Sequence, residues 1–427
     1  MIGAALLLLL ALMALAIPVA AALGVLGLAL DQLYGFLPLS RAAGEIAWSS
    51  SNEFLLVSLP LFIMLGEILL RSGIAEKMYG ALVQWLSWLP GGLMHSNIVT
   101  CALFAATSGS SVATAATVGT VALPQARRYG YNERLFLGTL AAGGTLGILI
   151  PPSINMIVYA VLTNTSVPRL YLAGIVPGVL LSLLFMTVVL VACLVRPQWG
   201  GQRLTGSLRS ALSGLVHLLP PLVIFAVVVG SIYAGIATPT EAASLGVVAG
   251  LVLAAWAGRL SLAMLREVLQ GTMRTTAMVM LIIVAAYFLN FVMSGIGLTT
   301  RLTDFLTGLG LSKWEMLVAV ILFYLVLGCF METLSMMITT IPIVAPVMFQ
   351  LGFDPVWFGI MVIVLIETAL ITPPVGLNLF VVQNLRRGGP LNDVIVGAVP
   401  FVIAMLLLLL ALALVPGLAL WLPEWIG

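Results

Sequence analysis

The sequence predicts an all-α polytopic membrane protein. Of its 427 residues, 62% are apolar and only 7% are charged, whereas a typical soluble domain carries about 25% charged residues. The mean hydropathy is +1.21, and many apolar segments reach the length of about 20 residues that a membrane crossing needs. These observations exclude a soluble protein. The near balance of 17 basic and 15 acidic residues also excludes a nucleic-acid-binding protein that relies on a basic face.

Nine apolar segments are predicted to cross the membrane. The first has no basic residue before it and is too long for the core of a signal peptide, which spans roughly 7–15 residues. Two of the nine are long and are interrupted by a Pro-Pro pair. The predicted crossings are 2–30, 45–70, 134–164, 170–195, 215–237, 241–257, 275–297, 357–386 and 395–421, of which the third and eighth are the interrupted ones.

Two further apolar segments are predicted to be re-entrant helical hairpins. The segment 95–127 is broken near its middle by small and polar residues at 108–111, and the segment 314–350 is broken at Glu332 and Thr333. Two other segments, 76–90 and 259–274, mix apolar and charged residues at helical spacing. Such a pattern is typical of helices that lie on the membrane surface, and the alternative is that the two segments only terminate neighbouring spans.

The positive charges predict the orientation. With the N-terminus in the cytoplasm, nine crossings and two hairpins place all basic residues on the cytoplasmic side except Arg41, Arg169, Arg301 and Lys313. Cytoplasmic loops normally carry this excess of Lys and Arg. The first hairpin is therefore predicted to open from the cytoplasm and the second from the periplasm, with the C-terminus in the periplasm.

An internal repeat is the next feature. A shift of 222 residues places Ser72-Gly73-Ile74 on Ser294-Gly295-Ile296 and Pro151-Pro152 on Pro373-Pro374, and it also aligns Pro124 with Pro346 and Gly130 with Gly352. Because the crossing at 45–70 runs inward and its partner at 275–297 runs outward, the two copies are predicted to be inverted. Inverted repeats with interrupted helices are typical of secondary transporters, whose binding site lies where the broken elements meet.

The repeat divides the chain into five predicted regions. They are an N-terminal scaffold helix and periplasmic loop (1–44), a first repeat (45–195), a central cytoplasmic loop with scaffold helices (196–266), a second repeat (267–421) and a short tail (422–427).

Oxygen atoms at the broken elements are candidate cation ligands. A proline removes one backbone donor and disrupts the preceding turn, so that carbonyls near Gly147 and Ile150 lose their helical partners. Within a membrane these groups have to be satisfied by a cavity, an ion or neighbouring protein. Hydroxyls at the hairpin tips add further oxygens in both copies. The alternative is that the Gly, Ser and Thr residues only allow close helix packing.

Three acidic residues, Glu67, Glu332 and Glu367, lie inside apolar segments. A charge at the centre of a membrane helix costs roughly 2.5–3.5 kcal/mol on insertion scales and often marks function, although a hydrogen-bonded packing role is equally open. Of these three, only Glu332 is expected near the hairpin tips. The sequence contains neither clustered histidines nor paired aspartate motifs, and its three cysteines lie far apart. We therefore predict no enzyme activity and no cofactor.

Five motifs closely resemble those of one transporter family. They are SGSSVATAATVG (Ser108–Gly119), GILIPPSIN (Gly147–Asn155), GIATPTEAA (Gly235–Ala243), ETLSMM (Glu332–Met337) and ITPPVGLNL (Ile371–Leu379). In this order they resemble the large membrane subunit, the DctM-type M subunit, of tripartite ATP-independent periplasmic (TRAP) transporters. The resemblance covers essentially the whole chain.

The resemblance implies an elevator-type, Na⁺-driven importer of organic acids in the bacterial inner membrane. The implied partners are a small four-helix membrane subunit, expected as a separate polypeptide, and a periplasmic substrate-binding protein. The implied sites are a first Na⁺ site of Ser108, Ser111, Gly147, Ile150 and Pro152 and a second of Met331, Thr333, Ala369, Thr372 and Pro374. The substrate-lining residues are predicted to be Ser110, Thr114, Ser153, Asn155, Glu332, Ser335, Gly376 and Asn378.

Two other functions remain open at this point. A single-component Na⁺/carboxylate symporter of the same architecture would need no binding protein. A membrane anchor subunit would not transport at all. The substrate could be a C4-dicarboxylate, a sugar acid or sialic acid, because the substrate-binding protein shares in determining the specificity.

Overall fold

The computed structural model describes residues 1–15, 17–202, 212–308, 310–328, 331–373, 376–386 and 388–426. The regular structure in these residues is helical, as predicted. The α-helices, numbered in chain order, are α1 (Ile2–Ala14), α2 (Val19–Tyr34), α3 (Ala43–Ser51), α4 (Ser58–Arg71), α5 (Ile74–Leu86), α6 (Gly92–Ser108), α7 (Ser111–Arg128), α8 (Glu133–Leu149), α9 (Ile154–Thr163), α10 (Val167–Val195), α11 (Leu219–Tyr233), α12 (Pro239–Trp256), α13 (Leu262–Gly295), α14 (Leu298–Gly308), α15 (Lys313–Leu327), α16 (Thr333–Gln350), α17 (Pro355–Leu370), α18 (Leu377–Arg386), α19 (Leu391–Leu414) and α20 (Gly417–Ile426).

Among the described residues, seven helical segments are long and apolar enough to cross a membrane. The bent pair α8 and α9 makes an eighth if it counts as one span. The seven segments are Phe54–Arg71, Val167–Val195, Leu212–Tyr233, Pro239–Trp256, Leu262–Gly295, Thr333–Gln350 and Leu391–Leu414. A polytopic all-α membrane protein is thus confirmed, whereas the predicted total of nine crossings stays a prediction.

Proline residues divide two of the predicted crossings. The single helix expected at 2–30 is wrong, because α2 begins directly after Pro18, whose ring is incompatible with the interior of a continuous helix. The crossing expected at 395–421 ends earlier, with α19 at Leu414, and Pro416 precedes the separate helix α20.

Two other helix boundaries also differ from the predicted ones. The crossing expected to begin at 45 begins at Phe54, because α3 ends at Ser51 and the polar residues Asn52 and Glu53 follow it. The separate surface helix predicted at 259–274 is wrong and the alternative fits, since residues 262–274 form the first part of α13, a continuous helix of 34 residues. A helix of that length spans about 51 Å, so α13 is longer than an upright crossing of the roughly 30 Å of membrane hydrocarbon needs.

The four interruptions lie where the sequence places them. Each occurs between two consecutive helices: α6 and α7, α8 and α9, α15 and α16, and α17 and α18. The axes of α8 and α9 differ by 45° across the Pro-Pro pair at 151 and 152. Eight helices therefore end or begin at the interruptions, which is where the sequence predicts the ion and substrate sites.

The two helices that precede the Pro-Pro breaks form the centre of the molecule. Every residue of α8 from Leu135 to Leu149 is buried, and so is every residue of α17 from Val356 to Leu370. A helix that is apolar on all sides is expected to be surrounded by other helices. The helices α6, α7, α10 and α19 pack on α8, whereas α10, α15 and α16 pack on α17. A second group, in which α2 and α4 pack on α13 and α12 packs on α4, lies beside them.

Candidate functional site

One cavity of about 160 Å³ connects the interruptions. Its wall includes the tip between α6 and α7, residues beside both Pro-Pro breaks, and the start of α16. The helices α4 and α13 supply the rest of the lining. The residues that these two helices contribute are Ile63, Gly66, Glu67, Leu70, Thr275 and Met278.

Four helix N-termini meet at this cavity. Residues in the first turns of α7, α9, α16 and α18 line it, among them Ser111, Asn155, Thr333 and Leu377. The first amide groups of a helix lack intrahelical acceptors, and the helix dipole places a partial positive charge there. Four such ends around a small cavity favour the binding of an anion.

Polar side chains cap three of these helices. Ser110 Oγ accepts a hydrogen bond from the Ala113 amide at 3.4 Å at the start of α7. Ser153 Oγ accepts one from the Met156 amide at 3.3 Å at the start of α9. Glu332 Oε2 accepts one from the Ser335 amide at 3.2 Å at the start of α16. The caps fix where each helix begins and leave other first-turn amides for a ligand.

Glycines permit very close contacts around the tips. A Cβ atom on Gly147 would lie 2.8 Å from the carbonyl oxygen of Ser110, and one on Gly109 would lie 3.3 Å from the carbonyl oxygen of Pro152. In the second half of the chain, a Cβ on Gly328 would overlap the Cβ of Ala369. The tip of each hairpin segment therefore packs against the helix before a Pro-Pro break, or against the break itself. Glycine is required because a larger residue would separate these elements.

The structure brings the first predicted Na⁺-site residues together. Ser108 and Ser111 are buried on either side of the tip, and Gly147 and Pro152 contact that tip through the glycine contacts above. Ile150, at the end of α8, is extended, with ψ of 123°. Both hydroxyls have a polar neighbour: Ser108 Oγ lies 2.9 Å from Thr114 Oγ1, and Ser111 Oγ donates a hydrogen bond to Glu367 Oε2 at 2.7 Å.

The residues of the second predicted Na⁺ site are described less completely, because Pro374 lies outside the described residues. Met331, Thr333 and Ala369 are buried at the start of α16 and near the end of α17. Thr333 Oγ1 donates a hydrogen bond to Glu332 Oε1 at 2.9 Å, and Thr372 Oγ1 donates one to the carbonyl of Thr368 at 2.7 Å. Thr333 and Leu370 line the same cavity, so that the tip and the break approach each other here as well.

The predicted substrate-lining residues divide into two groups. Ser110, Asn155 and Glu332 lie on the cavity wall. The others are near the cavity but are not part of its described lining: they are Thr114, Ser153, Ser335, Gly376 and Asn378. Of these, Thr114 and Asn378 are buried and bonded to neighbouring residues, Thr114 to the Ser110 carbonyl at 2.7 Å and Asn378 to the Ala141 carbonyl at 3.3 Å.

The expectation that only Glu332 is a charged residue near the tips is wrong. Glu67 lines the cavity from α4, and its carboxylate forms an ion pair with Arg71 one turn later. Arg71 Nε is also 3.1 Å from Glu267 Oε2 on α13. Glu367 is only 1% exposed and contacts the tip through Ser111. The sequence contains the Glu67–Arg71 spacing of four residues, but the approach of α4 to the tip depends on tertiary packing.

Comparison with known proteins gives a family match over nearly the whole chain. Residues 6–418 match the family described as "Tripartite ATP-independent periplasmic transporter, DctM component". The C4-dicarboxylate TRAP transporter large permease protein DctM of Pseudomonas aeruginosa is 37% identical over 381 residues, which cover 89% of this chain and 88% of that protein. The isethionate TRAP transporter permease protein DctMQ of Oleidesulfovibrio alaskensis is 32% identical over 92% of this chain and 62% of that protein.

A solved structure shares the overall fold. The crystal structure of the YdaH transporter of Alcanivorax borkumensis superposes with a TM-score of 0.62 and covers 97% of this chain and 98% of that one. The sequence identity is 15%, so the likeness concerns the arrangement of helices alone.

Proposed function

The chain belongs to the DctM-component family of tripartite ATP-independent periplasmic transporters and is a large permease subunit. We propose that it imports a small organic acid and that a Na⁺ gradient drives this import. A periplasmic binding protein delivers the acid, and a small four-helix membrane subunit assists the permease. The single observation that carries the proposal is the convergence of four helix N-termini on the cavity.

The small volume of the cavity favours a small anionic substrate. Pockets for drug-sized ligands measure roughly 300–1,000 Å³, whereas this cavity measures about 160 Å³. The relatives described above are named for a C4-dicarboxylate and for isethionate, both of which are small organic anions. We therefore propose a carboxylate of about this size as the substrate class, and a C4-dicarboxylate as the first candidate.

Bound cations would resolve an electrostatic conflict at the cavity. Glu67 and Glu332 line it, and Glu367 lies directly behind Ser111, so an anionic substrate enters a region that already carries carboxylates. Among the described residues, Glu67 is the only one of these three acids that is paired with an arginine, Arg71, which also pairs with Glu267. Na⁺ at the two proposed sites would offset the remaining negative charge and couple ion binding to substrate binding. The proposed ligands are those predicted from the sequence.

The movement that we propose is of the elevator type. The two hairpin segments and the interrupted helices would carry the cavity past α4 and α13, which also contribute to its wall. The close contact between the two parts supports this division: a Cβ on Gly66 of α4 would lie 2.8 Å from the carbonyl oxygen of Ser108. The glycine means that no side chain of α4 blocks the movement of the tip at this contact.

Reconstitution tests the proposal. Proteoliposomes that contain this chain, the small subunit and a loaded binding protein should take up a C4-dicarboxylate when an inward Na⁺ gradient is applied. Omission of either partner, or replacement of Na⁺ by K⁺ at equal ionic strength, should abolish uptake. Uptake by this chain alone would support the single-component symporter, and no uptake with any candidate acid would support the anchor.

A further inference from the structure

Glu367 is a buried acid that the predicted Na⁺ sites do not include. It lies on α17, the central buried helix, and is 1% exposed. Its Oε2 accepts a hydrogen bond from Ser111 Oγ at 2.7 Å, across 256 residues of sequence. Its Oε1 has no hydrogen-bond partner among the residues that the structure describes. An ionised carboxylate with one unpaired oxygen is costly in such surroundings unless a positive charge lies nearby.

A second unpaired oxygen lies in the same cluster. Asn378, at the start of α18, is fully buried, and its Nδ2 donates to the carbonyl of Ala141 at 3.3 Å. Within the described part of the chain its Oδ1 accepts no hydrogen bond. Gly144 of α8 connects Asn378 with Ser111, because a Cβ on Gly144 would lie 3.0 Å both from Asn378 Nδ2 and from the carbonyl oxygen of Ser111. The side chains of Glu367, Ser111 and Asn378 thus belong to one cluster between α7, α8, α17 and α18.

The chemistry of the cluster is that of a site for a hard cation. Carboxylate, amide and carbonyl oxygens are the ligands that such ions prefer. The hydroxyls and carbonyls of the first proposed Na⁺ site carry no formal charge, whereas Glu367 supplies one negative charge. A monovalent cation bound to it would form a neutral pair, which is less costly to bury than either charge alone.

The geometry points to Glu367 and Asn378 as cation ligands that, together with Ser111, complete the first proposed site behind the hairpin tip. The inference rests on the proposed function for the identity of the ion as Na⁺. It adds to that function a charged ligand from the second half of the chain. Because Glu367 lies on α17 and Ser111 on α7, an ion bound here would join the first hairpin segment to the helix before the second Pro-Pro break.

Na⁺-dependent thermal stability of the purified full chain tests this inference. An ion that binds only the folded protein raises its unfolding midpoint as its concentration rises. With choline used to hold the ionic strength constant, the wild type should show a Na⁺-dependent rise. Glu367→Gln keeps the shape of the side chain and an oxygen that can accept from Ser111, but it removes the charge. It should need at least about ten times more Na⁺ for the same rise, since interactions with a charged group are the stronger ones.

A second variant and a control make the result interpretable. Asn378→Leu removes the unpaired amide oxygen at similar volume and should also weaken the Na⁺ response, which keeps the test decisive if Glu367→Gln does not fold. Glu315→Gln neutralises an exposed acid that caps α15, and it should respond to Na⁺ like the wild type. A wild type that responds to Na⁺ together with unchanged Glu367→Gln and Asn378→Leu variants would overturn this inference alone. A wild type that does not respond to Na⁺ would overturn Na⁺ coupling, and this inference with it.

Discussion

At the scale of single residues, mutation of the hydroxyl groups at the two tips tests the proposed Na⁺ sites most directly. Ser111 and Thr333 both begin the second helix of a hairpin segment, and both are buried beside the cavity. Each donates a hydrogen bond to a glutamate, Ser111 to Glu367 and Thr333 to Glu332. A hydroxyl can donate to a carboxylate and still offer its lone pairs to a cation. The two roles are therefore compatible in one residue.

We expect Ser111→Ala and Thr333→Ala to weaken Na⁺ binding without preventing folding. Each change removes one oxygen, and an interaction with a charged group is worth roughly 1.5–3 kcal/mol, which corresponds to about a ten- to hundred-fold loss of affinity. In reconstituted transporter, the Na⁺ concentration for half-maximal uptake should rise by about that factor, and high Na⁺ should partly restore the rate.

Ser96→Ala is the matched control for these two variants. Ser96 is a fully buried serine of α6 whose Oγ donates to the carbonyl of Gly92 at 2.9 Å, near the base of the same hairpin segment. Ser210, in the predicted central cytoplasmic loop (196–266), would be another control, but it lies outside the described residues. Wild-type Na⁺ dependence in both site variants would mean that the small polar residues at the tips serve packing only.

At the scale of helices, one ionic cluster fixes four elements at an end of the molecule. Arg386, the last residue of α18, is 7% exposed and lies 2.8 Å from Glu133 on α8 and 2.9 Å from Asp393 on α19. Arg127 of α7 donates to the carbonyl of Arg386 at 2.9 Å. The cluster therefore holds the end of an interrupted helix against the first hairpin segment.

Removal of the central arginine should destabilise the protein. Loss of one partner of a buried ion pair costs roughly 3–5 kcal/mol. Because the Glu133 side chain is 47% exposed, water screens part of this effect, and Arg386→Ala should cost less than the loss of a fully buried partner. The unfolding midpoint in detergent should fall by several degrees. Arg266→Ala, at an exposed position of α13, should change it little. Equal midpoints for both variants would contradict a structural role for the cluster.

The sequence predicts the helix breaks of this site better than it predicts the tertiary contacts between its helices. The Pro-Pro pair at 151 and 152 and the polar tip at 108–111 mark the breaks directly, because proline and glycine act locally on the backbone. The contact of Gly66 with Ser108 and the bond between Ser111 and Glu367 join distant parts of the chain. No local pattern encodes such contacts. The sequence thus identifies Glu67 and Glu367 as acids within apolar segments, but only the fold shows beside which hairpin tip they lie.

At the scale of the whole molecule, helix boundaries recur between the two halves of the chain. Helices α7 and α16 each contain 18 residues, and they begin at Ser111 and Thr333, which are 222 residues apart. Helices α9 and α18 each contain 10 residues and begin 223 residues apart. These equal lengths support the internal repeat that the sequence predicts. If the repeat is inverted, equivalent residues lie on opposite sides of the membrane.

Accessibility of single cysteines tests the inversion. Gly130 and Gly352 are equivalent in the repeat, but both have positive φ, 66° and 80°, where a cysteine would be strained. Arg128 and Gln350, the exposed last residues of α7 and α16, are also 222 residues apart and suit the purpose better. In a background without Cys101, Cys193 and Cys329, Arg128→Cys should react with an impermeant maleimide only from the cytoplasmic side, and Gln350→Cys only from the periplasmic side.

The background protein without any cysteine serves as the control for labelling, and transport by each variant confirms that its fold is intact. Opposite labelling would place the ends of the two hairpin segments on opposite sides and support an elevator whose cavity opens alternately to each side. Reaction of both cysteines from one side would contradict the inverted repeat, because two equivalent helix ends cannot share a side when their copies have opposite orientation. The predicted locations of the two termini would then also have to be revised. Both the cytoplasmic N-terminus and the periplasmic C-terminus follow from the same charge distribution and the same number of crossings as the inverted repeat.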